Sequence, residues 1–193
     1  MRQKLLPGLL VLSGLLWIVS RIMKNQKNKI VSTQGTLPQR KNNPFALIQA
    51  KPDKWQGLSP NTGSFLEFTE PKWGVRAGYI NLVNTYIGKG LNTIEKIFPV
   101  YAPFSDGNNP LKYIEFVEKF TKIKRNETIE DTNQVYIIGR AIERVEAGKA
   151  WVSPADWDEG FKMAIPVINQ KLRALTFKSN LGKAIANAGS IGL

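Results

Sequence analysis

The chain contains no cysteine and no histidine. Without cysteine there is no disulfide, no thiolate nucleophile and no cysteine-held zinc. Without histidine there is no Ser-His-Asp triad, no imidazole base and no ordinary catalytic zinc site. Any chemistry must rest on carboxylates, hydroxyls, amines, guanidinium groups or the backbone. Phosphate loops of the Gly-x-Gly-x-x-Gly or Walker type are also missing, so neither a metal nor an organic cofactor is expected. Acids are scarce at the start of the chain. Residues 1–40 hold seven of the 27 basic residues and none of the 15 acidic ones. More than half of the +12 net charge of this 193-residue chain therefore sits in its first fifth. The near-balanced remainder makes nucleic acid the least expected partner.

What the N-terminus has instead is a long apolar run. From Leu5 to Ser20 every residue is apolar or small. As a helix at about 1.5 Å per residue, Leu5–Met23 spans roughly 28 Å, near the ~30 Å hydrocarbon core of a bilayer. Pro7 falls in the first turn, where a missing N–H costs little. Trp17 suits an interface and Arg21 can snorkel. A cleaved signal peptide would end in a small-x-small site, whereas this run ends Ser-Arg-Ile-Met-Lys. A buried soluble helix would show a polar face. Residues 1–23 thus read as a single-pass membrane anchor, with residues 5–23 in the lipid. Residues 24–43 read as a polar basic linker whose lysines suit anionic headgroups.

The rest reads as mainly α. Residues 44–73 are rich in turn formers around Phe45–Ile48 and Phe65–Phe68, which predicts loops with one or two short strands. After Pro71 a helical face follows: Trp73, Ala77, Ile80, Leu82, Val83, Tyr86 and Ile87, stopped by Gly88 and Gly90. Asn92-Thr93 predicts a capped start, with Pro99 and Pro103 ending that helix. Pro110 opens another, with Leu111, Ile114, Val117 and Phe120 inward. Thr132–Ala147 is predicted helical up to Gly148, and Pro154–Leu175 helical with a kink or break at Pro166. Residues 44–150 are expected to form one helical domain, and residues 151–193 a helical extension with a basic tail.

Several pieces stand in a recognisable order. They are Asn42-Asn43-Pro44 with Ile48, Trp55-Gln56-Gly57, Phe65 and Phe68 with Pro71, and Gly74-Val75-Arg76-Ala77. Tyr86, Gly90-Leu91-Asn92-Thr93-Ile94, Ala102-Pro103 and Tyr113-Ile114-Glu115-Phe116-Val117 follow. Over about residues 40–146 this set resembles a domain of bacteriophage virion and structural proteins regarded as lysozyme-like, some members of which are treated as muralytic. The resemblance implies a small lysozyme-like helical domain in a phage particle component that cleaves host peptidoglycan during genome entry. With the anchor, it implies a phage with an internal lipid membrane, and a location in the virion membrane, or in the host inner membrane before assembly. A non-enzymatic protein linking that membrane to the capsid or other virion proteins is the alternative. The chain departs from the pattern at Thr69, where an acid often stands, and at Leu47-Ile48, where Asn-Ile often stands.

A glycan can be cleaved without histidine, because a carboxylic acid with a raised pKa suffices as proton donor. Glu67 and Glu70, set among Phe65, Leu66, Phe68 and Trp73, are the candidate general acids. Asp106 on the Ser105–Asn109 turn is a candidate partner. Arg76 is a candidate for holding a sugar acid, or for pairing with Glu67 or Glu70. Trp55 and Tyr101 are candidates for stacking on sugar rings. The basic stretch Lys119–Arg125 reads as a solvated helix end.

Overall fold

The computed structural model describes residues 35–48, 55–60 and 63–189. The anchor expected over residues 5–23 lies outside these residues. Among the described residues no helix is long and apolar enough to cross a membrane. The chain divides into two compact units, Met1–Thr36 and Leu37–Leu193; the architecture below is that of the second.

Six α-helices occur among the described residues: α1 (Leu37–Arg40), α2 (Pro71–Asn81), α3 (Ile94–Tyr101), α4 (Pro110–Thr121), α5 (Thr132–Ala147) and α6 (Pro154–Gly189). Their starts follow local chemistry. Pro71 and Pro110 occupy first-turn positions that need no N–H donor. Thr93 and Asn109 cap α3 and α4 by accepting from Lys96 N–H and Lys112 N–H. Asp131 and Gln134 close a reciprocal capping box on α5. Gly90 and Gly148 turn the chain out of its helices at φ +91° and +72°.

The core lies between α2 and α6, with α3, α4 and α5 around them. Tyr79 on α2 is fully buried and donates to the Tyr136 carbonyl oxygen at 2.8 Å. Its hydroxyl accepts from the Trp157 indole N–H on α6 at 3.0 Å. Both polar atoms are thus satisfied inside an apolar cluster, as burial requires. Gly160 lets α6 approach closely, since a Cβ there would stand 2.5 Å from the Lys72 carbonyl oxygen.

Three expectations change, and the one at Pro166 narrows, since the helix does not break there. The short strands reduce to isolated bridges, Ile48–Phe65 and Leu58–Phe68, because asparagine side chains take up backbone groups that a ladder would use. Neither Pro99 nor Pro166 ends its helix. Pro99 and Glu95 are exposed, as are Pro166 and Lys162, so water can satisfy the carbonyl each proline leaves free. Leu111 is 65% exposed instead of inward. The buried stripe of α4 is Pro110, Tyr113, Ile114, Val117 and Thr121, fixed by Tyr113 stacking on Phe98 at 4.5 Å.

A candidate groove beside a tyrosine cluster

Most of the recognisable sequence pieces meet at one corner. Asn43 is fully buried. Its amide donates to the carbonyls of Leu47 and Leu66, and its Oδ1 accepts from Leu47 N–H, each at 2.9 Å. Asn42 donates to the Phe68 carbonyl at 2.8 Å. Phe68 N–H donates to the Lys41 carbonyl at 2.9 Å, and Thr69 N–H to the Gly57 carbonyl at 2.8 Å. A Cβ at Gly74 would collide with the Asn42 carbonyl oxygen and Pro44 Cδ. The Asn-Asn-Pro, Trp-x-Gly, Phe-x-x-Phe and Gly-x-Arg-Ala pieces therefore act together, clipping a loop wall onto α2.

That wall forms one side of a groove of ≈ 660 Å³. Its floor comes from the end of α2, where the helix widens into a π-helical turn, Leu82–Tyr86. The extra residue in that turn keeps Leu82, Val83 and Ile87 in the core while Asn81, Asn84, Thr85 and Tyr86 line the groove. Such widened turns are frequent at functional sites. Thr85 Oγ1 donates to Asn81 Oδ1 at 2.7 Å. Burial pushes the Tyr86 hydroxyl up, and a hydrogen bond with Asn81 opposes it. The opposite side carries Val100, Tyr101, Pro103, Asp106 and Asn108. Tyr101 packs at 5.5 Å from Tyr86 and 5.9 Å from Tyr113, and donates to the Phe45 carbonyl at 2.5 Å.

Glu146 completes the lining. It stands in the last turn of α5, where the helix dipole is unfavourable to a negative charge. Its Oε1 accepts from Tyr113 Oη at 2.9 Å. Burial raises the carboxyl above its ordinary 4.5, and the Tyr113 hydrogen bond opposes that shift. Tyr113 and Tyr101 are themselves pushed well above 10 by burial, so both remain hydroxyl donors. Among the described residues, no lysine or arginine lines the groove, although the chain carries 27 of them.

The sequence candidates fall in two places. Trp55, Tyr101 and Asp106 line the groove. The Trp55 indole N–H is buried there with no hydrogen-bond partner among the described residues. Glu67, Glu70 and Arg76 do not line it. Glu67 pairs with Lys41 at 2.6 Å, and Glu70 with Lys72 at 3.4 Å. Arg76 makes no ion pair among the described residues; burial lowers its guanidinium from the usual arginine range. In the basic stretch, Arg125 grips Glu118 through two side-chain hydrogen bonds of 3.0 and 2.7 Å, so part of that charge is spent on closing the end of α4.

Glu146 was not singled out by the sequence, yet a signal was there. Val135, Ile138 and Ile142 mark the buried stripe of α5, and Glu146 continues it one turn on. Glu143 also lies on the buried side and is 0% exposed, but its surroundings differ. Its Oε1 accepts from the N–H groups of Trp151 and Val152 at 2.8 Å each. Arg140 and Arg144 stand 3.5 Å from its Oε2. Glu143 ties the α5–α6 connection and is absent from the groove. No group of three or more acidic side chains that would hold a metal ion occurs among the described residues.

No protein-family model matches the chain. Protein P5 of Pseudoalteromonas phage PM2 is 34% identical to it over 128 residues, covering 62% of this chain and 74% of that protein.

Proposed function

The chain belongs to the family of Protein P5 of Pseudoalteromonas phage PM2, and from that premise we propose that it is a virion-associated protein that grips the glycan strands of peptidoglycan. In this reading it is tethered through residues 5–23 to the virion membrane, or to the host inner membrane before assembly, and residues 44–150 form a lysozyme-like domain. One observation carries the ligand class: a groove lined by amides, hydroxyls and aromatic rings, without a lysine or arginine among its described lining, in a strongly basic chain. Nucleic acid and lipid phosphate need cations at the contact. A sugar polymer needs side-chain donors and acceptors with flat apolar faces. Asn81, Asn84, Thr85 and Asn108 supply the first, and Trp55, Tyr86 and Tyr101 the second.

The test is sedimentation of the detergent-solubilised full chain with purified sacculi. Binding is expected to survive high salt and to weaken on Asn84→Ala, an exposed groove side chain whose loss leaves the core intact. Failure to sediment with any sacculi, or release of all bound protein by salt, would sink the proposal. A second reading, a non-enzymatic link between bilayer and capsid, is favoured by the exposed apolar side chains of Val100, Phe104 and Leu111. It expects crosslinks from these positions to capsid proteins inside particles.

A further inference from the structure

Binding a glycan needs no acid, yet the groove holds one in an unusual setting. We propose that Glu146 is the general acid that cleaves a glycosidic bond of a chain lying in this groove; the proposal rests on the glycan-binding reading and adds a reaction to it. A general acid must reach its substrate, point at it and hold a proton. Glu146 reaches because it lines the groove. It is oriented because Tyr113 Oη fixes its Oε1 at 2.9 Å. Its protonated form is favoured because burial and the end of α5 both disfavour the charge. The titratable groups around it are Tyr86, Tyr101 and Tyr113, with Asp106 as the other carboxylate on the groove lining. None of the other acids combines these properties. Glu67 and Glu70 are salt-bridged to lysines and lie off the groove. Glu143 is committed to two backbone N–H groups.

The step balances with water as co-reactant. The Glu146 proton passes to the glycosidic oxygen, and the bond from that oxygen to the anomeric carbon breaks with its electron pair going to oxygen. A water oxygen bonds to the anomeric carbon, and the proton that water sheds returns to the Glu146 carboxylate. One bond is hydrolysed, and nothing is oxidised or reduced.

The experiment uses the detergent-solubilised full chain on purified sacculi, reading new reducing ends and, separately, sedimentation. Wild type is expected to release reducing ends. Glu146→Gln is expected to lose at least about 100-fold of that release while still sedimenting with sacculi. Tyr113→Phe removes a hydrogen bond that favours the carboxylate, so the alkaline limb of the pH–activity profile should move to higher pH. Release by Glu146→Gln at the wild-type rate overturns the proposal, as does a loss that follows Glu67→Gln or Glu70→Gln instead. Wild type that sediments with sacculi but releases nothing overturns the catalytic step and leaves the binding reading standing. Wild type that sediments with none overturns the binding reading itself. Should Glu146→Gln fail to fold, an unmoved pH limb in Tyr113→Phe overturns the proposal.

Discussion

Asn43 shows how much one side chain can organise. It bonds two carbonyls and one N–H of two residues, Leu47 and Leu66, inside the protein. Asn43→Ala would strand the Leu47 N–H and the Leu66 carbonyl, while the Leu47 carbonyl keeps the Leu66 N–H at 2.9 Å, at about 1–3 kcal/mol for each buried group left unpaired. We expect a loss of about 3 kcal/mol or more in urea unfolding. Asn43→Asp is expected to be similarly poor, because a carboxylate cannot donate to Leu47 and Leu66. At the same scale the sequence was only partly readable. Residue order exposed the Asn-Asn-Pro and Phe-x-x-Phe pieces, and residue type marked Trp55, Tyr101 and Asp106 as candidates, which the fold places on the groove lining. It drew attention to Glu67 and Glu70 because aromatic residues flank them in the chain. Flanking in sequence does not create burial. Each carboxylate has a lysine beside it in space, and Lys41 lies 26 residues from Glu67. The acid that lines the groove, Glu146, is surrounded by side chains brought from α3, α4 and the π-helical turn, which no local window contains.

At the scale of elements, periodicity and capping residues located α2, α4, α5 and the start of α6, because those signals are local and the helices are amphipathic. The π-helical turn was not legible. Its sequence, Leu-Val-Asn-Thr-Tyr, reads as ordinary helix, and only packing against the core decides that one residue must be accommodated. Pro99 misled for a related reason: the cost of a proline depends on whether the freed carbonyl faces water. Close approaches were partly visible as glycines. At Gly74 the atom a Cβ would strike is a backbone oxygen, that of Asn42, which cannot swing aside as a flexible side chain would. Gly74→Ala should cost about 1–3 kcal/mol as overpacking, even though alanine is the better helix former. A thermal melt that rises on Gly74→Ala would show that the loop wall yields freely.

For the whole molecule, the separation of charge from groove makes two measurements independent. If residues 5–23 anchor the chain, the intact protein should float with lipid vesicles and a chain lacking residues 1–36 should not. Flotation of the shortened chain would move membrane affinity to the second unit. The pH dependence of stability has a defined sign. The Glu146 carboxyl is raised in the folded state by burial, so between its unfolded and folded values the unfolded chain has already lost the proton. Stability therefore falls as pH climbs from about 4.5, the ordinary value, through the raised folded value, and levels off above it. Glu146→Gln removes this component. Its melting temperature relative to wild type should rise across that window and stay constant below it. A difference independent of pH would mean that the carboxyl titrates alike in both states.

The loop wall has a dynamic consequence. A strand in a sheet is held by many rungs that open one by one, whereas this wall is held by the Asn43 clip and a few neighbouring bonds. Losing the clip frees Leu47 N–H and the Leu66 carbonyl and leaves the Leu66 N–H bond to the Leu47 carbonyl unsupported, so the amides of Leu47, Leu66 and Phe68 should exchange with deuterium as one cooperative unit. Trp55 and Phe65 ride on the same wall and line the groove. A ligand seated against them should slow exchange at all three amides at once, so that the backbone of the wall reports occupancy of the groove.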